Sequence, residues 1–193
     1  MNLVDRARGI VLRPRQEWQV IASEQTTASA LYRSYVVPLA AIGPIATIIG
    51  TALFGLSIPF VGAVRVPLGA AVTQAVVTYV LTLVGTYVFA LIIDALAPTF
   101  AGTRNSTQAL KVAVYASTAA WLAAAFSILP ALSFLALLGL WSLYLLYLGL
   151  PVLMKAPPER ALTYTAAVVI AAIVIYFVIG AIAAAFISPT FAR

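Results

Sequence analysis

Five long apolar runs, separated by short polar or proline-bearing joints, leave this 193-residue chain few ways to fold. They cover about residues 35–56, 68–93, 112–129, 131–154 and 164–187. A helix crossing the hydrocarbon layer needs roughly 20 apolar residues, and each run is near or above that length. The two-residue alternation of a membrane β-barrel is absent, and runs this long exclude one. Composition closes the soluble alternative, with 64% hydrophobic and 8% charged residues. Ordinary soluble domains have about 45–50% and about 25%. The expected fold is all-α: a polytopic membrane protein with five transmembrane helices.

The runs differ in detail. Pro38, Gly43 and Pro44 interrupt the first. The second would be roughly 39 Å long as a straight helix, so it must tilt or extend beyond the bilayer core. The third stops at Pro130 and the fourth follows at once, which predicts a tight helical hairpin. The fifth is expected to stop at Ser188-Pro189. Ala116, Ala120 and Ala124, and again Gly180 and Ala184, form small-residue faces that suit close helix packing.

Residues 1–34 read as a separate cytoplasmic arm, ahead of a five-helix bundle over 35–193. The arm holds eight of the sixteen charged residues. Asn2 followed by Asp5 resembles a helix start, and Pro14 suits the first position of a second helix. Two short amphipathic helices are expected to lie in the membrane interface, with Arg6, Arg8, Arg13 and Arg15 reaching lipid phosphates and Trp18 as anchor. A secretory signal peptide does not fit, because Ala28-Ser29-Ala30 precedes the first apolar run and does not follow it.

A net charge of +6 could suggest a nucleic-acid partner, but charge this sparse reads as an orientation signal. With the N-terminus in the cytoplasm, nine of the eleven cationic residues fall on that side. Arg65 and Arg193 fall on the other. The expected topology is N-terminus in, C-terminus out.

There is no cysteine and no histidine, which excludes disulfides, thiolate or imidazole metal sites and His- or Cys-based catalysis. Neither a phosphate loop nor paired intramembrane aspartates occur, so no catalytic residue, cofactor or metal is assigned. Asp94 is the one acid adjoining an apolar run. It reads either as an ion or proton site or as a helix-end carboxylate near Arg104 or Lys111. Gln74, Thr78, Thr82 and Thr86 precede it at four-residue spacing, drawing one ridge along the helix. Such a ridge can line a polar passage, although threonines more often bond the preceding turn or a neighbouring helix. In the loop after Asp94, Phe100 is expected to pack back on the bundle, and Asn105 with Gln108 to cap the next helix. Tyr144 and Tyr147 suit an aromatic belt, and Gly149 with Pro151 suggests a kink or break.

Three stretches carry a resemblance. Asp94-Ala-Leu-Ala-Pro-Thr-Phe-Ala-Gly, Gln108-Ala-Leu-Lys-Val-Ala-Val-Tyr115 and Tyr144-Leu-Leu-Tyr-Leu-Gly-Leu-Pro-Val-Leu-Met-Lys155 are similar to the bacterial branch of the Yip family. These are the Ypt/Rab-interacting, YIPF-like membrane proteins. The resemblance implies five helices, a cytosolic N-terminus and a non-cytosolic C-terminus; Tyr115 joins Asp94 and the Gln74–Thr86 ridge as a candidate polar site. In eukaryotes the family is implicated in Golgi and ER vesicle trafficking and in binding prenylated Rab GTPases. Here the arm is only about 34 residues long, which argues against Rab-type GTPase binding. Ala119 stands where the family pattern suggests a proline after Tyr115-Ala-Ser-Thr.

The functional expectation is a non-enzymatic membrane organiser or interaction scaffold in a bacterial cytoplasmic membrane. Its partners would be anionic lipid headgroups and a membrane protein or a second copy of the chain, not nucleic acid. The alternative is a small transporter or channel using the threonine ridge and Asp94.

Overall fold

The computed structural model describes residues 2–58, 62–64 and 67–191. Helix α1 (Leu3–Leu12) starts where the Asn2 side chain accepts from the Asp5 amide at 2.8 Å, satisfying one first-turn N–H. Pro14, with no N–H to lose, opens α2 (Pro14–Ser23). Each carries an apolar stripe: Ala7 and Ile10 on α1, Trp18 and Ile21 on α2.

Five helices long and apolar enough to cross a membrane follow. They are span one (Ala28–Phe54), span two (Leu68–Phe100), span three (Ser106–Ile128), span four (Ala131–Met154) and span five (Pro158–Ile182). The helix of span five continues to Phe191, past the expected stop at Ser188-Pro189. Spans one, three and five begin six or seven residues earlier than expected. Arg33, assigned to the arm, and Lys111, just ahead of the third expected run, lie inside these helices.

Proline and glycine shape span one. Pro38 offers no amide, and the preceding turn widens into a π-helix over Tyr32–Val36, with the Val37 N–H reaching the Tyr32 carbonyl. The helix breaks again at Ala41 and resumes as Ile42–Phe54. Gly55 ends it at φ 75°, a conformation glycine adopts without strain. A short antiparallel hairpin then pairs β1 (Leu56–Ile58) with β2 (Gly62–Val64). Its strands are too brief for alternation to announce them. Arg65 and Arg193 of the orientation argument lie outside the described residues.

Span two is α-helical from Leu68 to Leu96, 29 residues or roughly 44 Å. The α-helix of span three is interrupted at Ser117, whose hydroxyl donates to the Ala113 carbonyl at 2.7 Å. The interruption falls two residues before Ala119. The following turns tighten into 3-10 helix over Ala124–Ile128. After extended Leu129, Pro130 opens an 11-residue 3-10 stretch to Leu140, and α-helix resumes over Trp141–Met154. The apolar pattern does not separate the two helix types. The tighter winding rises about 2.0 Å per residue, so this stretch reaches about 22 Å where an α-helix would reach about 17 Å. Spans three and four do form the expected hairpin. The Ala120 amide donates to Ser142 Oγ at 3.0 Å, and Gly139 lies against Ala120.

One hydrophobic core joins Ile10, Trp18 and Ile21 to Tyr35, Ile93, Val112–Tyr115, Leu145, Leu146, Leu150, Leu153, Met154, Tyr164 and Val168. The arm is thus packed into the bundle and does not form a layer of its own. At the same end of the molecule the Thr103 amide donates to the Met154 carbonyl, bringing the loop after span two onto the joint after span four.

Candidate functional site

The densest polar constellation lies where α1 and α2 meet the first half of span three. Gln108, Lys111, Tyr115 and Thr118 are spaced three, four and three residues apart, which puts all four on one helix face. Each of them reaches the arm or the start of span one. Gln108 Nε2 donates to the Ala22 carbonyl at 3.4 Å, and Lys111 Nζ to the carbonyls of Ile21 (2.9 Å) and Glu24. Lys111 is 2% exposed, so its charge sits at the carbonyl end of α2, where a cation is favoured. Tyr115 meets Trp18 and Tyr35 edge-on, with ring centroids 6.4 and 4.8 Å away. The Tyr35 and Thr118 hydroxyls lie 2.9 Å apart.

Arg6 completes the seam. Its guanidinium pairs with Glu17 at 2.6 Å and with Glu24, and stands 5.7 Å over the Tyr115 ring. Buried ions are costly unless paired and hydrogen-bonded, and here Arg6 and Lys111 are balanced by Glu17 and Glu24. A cavity of about 270 Å³ beside them is lined in part by Asn2, Arg6, Glu24, Ser34, Tyr35 and Tyr115.

This geometry corrects two expected lipid contacts. Trp18 is fully buried and Arg6 is 5% exposed, so neither faces the membrane surface. The indole packs on Gly149, where a Cβ would come within 2.6 Å of it. Gly149 is therefore a seat for Trp18, and the helix runs unbroken through Gly149 and Pro151. Arg8, Arg13 and Arg15 are exposed. Tyr144 is half-buried and Tyr147 exposed. Glu17 and Glu24 were counted only among the charges of the arm, and Lys111 was considered only as a neighbour of Asp94, so their joint role was missed. The helical spacing from Gln108 to Thr118 on an otherwise apolar run was the available signal.

Asp94 lies elsewhere. Its Oδ2 accepts from Arg104 Nε at 3.4 Å, while Lys111 is engaged by the arm. Its Oδ1 is buried without a hydrogen-bond partner among the described residues. Beside it the Tyr164 hydroxyl donates to the Ile93 carbonyl, and Phe100 stacks on Tyr164 at 4.9 Å, the inward packing expected of that loop. Asn105 caps span three as expected, accepting from the Gln108 amide at 3.0 Å.

Thr82 and Thr86 hydroxyls each donate to the carbonyl four residues earlier, at 2.8 Å. Thr78, Thr82 and Thr86 also line a cavity of about 250 Å³ with Ser117, Trp121 and Ile175. Gln74 is half-buried further along the helix and Asp94 does not line this cavity. Ala90, the ridge position between Thr86 and Asp94, is packed in the core. Among the described residues no group of three acidic, His or Cys side chains is placed to hold a metal ion.

Comparison with known proteins places this architecture. The chain matches the Yip1 domain over residues 8–182. It is 28% identical over 161 residues to "Inner membrane protein YohC" of Escherichia coli K12, covering 81% of this chain and 83% of that protein. YohC from an O6:H1 strain of Escherichia coli gives the same figures. No solved structure matches. With the match running from α1 to the last described side chains of span five, the chain belongs to the Yip1 family of membrane proteins.

Proposed function

We propose that this protein is a non-enzymatic scaffold of the bacterial inner membrane, with the arm on the cytoplasmic side and the C-terminus outside. The observation that carries this reading is where the polar groups are used. Arg6 ties Glu17 and Glu24 together within the arm and stands over the Tyr115 ring, Lys111 holds the arm's carbonyls to span three, and Asp94 holds Arg104 of the adjoining loop. The ridge hydroxyls of Thr82 and Thr86 bond their own helix, and neither Ala90, which is buried in the core, nor Asp94 lines their cavity. These are arrangements that fix a surface, and none of them forms a polar path along the bundle. The fixed surface would receive a membrane-protein partner or a second copy of the chain. A Rab-type GTPase is not proposed, since the arm is consumed in its own docking.

A second reading, a small transporter, draws on the 250 Å³ cavity and the unpartnered buried Oδ1 of Asp94. Proteoliposome flux separates the two. The scaffold reading expects no Asp94-dependent proton or cation flux, and a small fall in thermal stability in Asp94→Asn. Robust flux lost in a well-folded Asp94→Asn variant would establish the transporter instead.

A further inference from the structure

We propose that the notch between the α1–α2 turn and span four binds the headgroup of one anionic phospholipid. The notch, about 390 Å³, is lined by Arg13, Pro14, Arg15, Gln16 and Tyr144. Its walls are held in place: Trp141 Nε1 donates to the Val11 carbonyl at 3.2 Å, and the Trp141 ring leans on Tyr144 with centroids 4.8 Å apart. Tyr144 lies ten residues before Met154, roughly 15 Å along the helix from its end. The two arginines are therefore raised well above the end of the bundle.

On span four the exposed leucines begin next to Tyr144. Leu12 (65%), next to Arg13, and Leu140 (60%) and Leu143 (43%), within a turn of Tyr144, are exposed, as is Leu137 (67%) three residues before Leu140. Exposed side chains of this kind suit acyl chains, and a Trp–Tyr pair suits the boundary between chains and headgroups. The guanidinium forks match phosphodiester oxygens. Glu17, the one carboxylate on α2, is turned inward to Arg6. Among the described residues neither Arg13 nor Arg15 has an ion-pair partner. The notch thus presents two unneutralised cations beside an apolar wall, the complement of an anionic headgroup with its tails. A free phosphate would leave the apolar wall unused. The site rests on the membrane-spanning fold and is independent of the scaffold reading.

The test uses the full chain, with Trp121→Phe, in phosphatidylcholine vesicles doped with brominated phosphatidylglycerol or, separately, brominated phosphatidylcholine. Trp18 is buried, so contact quenching reports Trp141. The brominated anionic lipid should quench more strongly. Arg13→Gln/Arg15→Gln should weaken the apparent affinity for it about tenfold or more, the scale two arginines supply at an anionic surface. Each single Gln variant should lose part of that preference, which keeps the test open if the double variant misfolds. Equal quenching by both lipids, or an unchanged preference in the folded variants, would overturn the proposal. Relief of the quenching by millimolar inorganic phosphate would also overturn it, by assigning the notch to a free anion.

Discussion

The two ends of this bundle are built differently. At the arm end, Trp18, Ile10, Val112, Leu145 and Tyr164 are buried in a core laced with paired charges, much as in a soluble domain. At the far end, Leu53, Leu68, Val72, Phe134 and Leu137 are exposed, and 3-10 stretches replace regular helix in spans three and four. A bilayer takes over the role of the core where apolar side chains point outward, since lipid tails are as apolar as leucine. Where charges must be buried, protein has to surround them. The contrast explains why a chain with 8% charged residues concentrates half of them in its first 34.

Substitutions at the two ends should therefore behave differently in detergent-solubilised protein, measured by thermal unfolding with hydrogen exchange. The largest effect is expected for Trp18→Ala, about 3–5 kcal/mol by analogy with other buried aromatic truncations. Trp18→Phe should be much milder, because the indole N–H has no acceptor among the described residues and no hydrogen bond is lost. Arg6→Met comes next, at about 2–3 kcal/mol. It leaves Glu17 and the partly exposed Glu24 without their cation, and that exposure reduces the penalty of breaking a buried pair. Tyr35→Phe removes only the hydroxyl contact to Thr118 and should cost about 1 kcal/mol. Leu137→Ala, on the exposed apolar face, should fall within about 0.5 kcal/mol of wild type. A Leu137 effect as large as that of Trp18 would break the contrast between the ends.

The five spans and their hairpin were legible because run length and proline position act locally. Asn2, Pro14 and Asn105 announced their helix starts for the same reason. Arm docking was not legible, because an amphipathic helix presents the same stripe to lipid and to protein. Trp18 looks identical in either setting until Gly149 supplies a seat for it. The role of Lys111 stayed hidden because a lysine inside an apolar run has no visible partner. Its partners are carbonyls about ninety residues earlier, which no pattern of side chains encodes. Asp94 was placed near Arg104 or Lys111 by proximity in the chain, and only Arg104 pairs with it.

The central claim is that the arm belongs to the protein core and does not simply rest on lipid. Hydrogen exchange of the full chain in nanodiscs tests it most directly, comparing amides of residues 6–21 with those of 109–116. The account predicts slow exchange in both segments, with the two losing protection together in Trp18→Ala. Exchange of residues 6–21 within seconds in the wild type, while 109–116 stays protected, would contradict it.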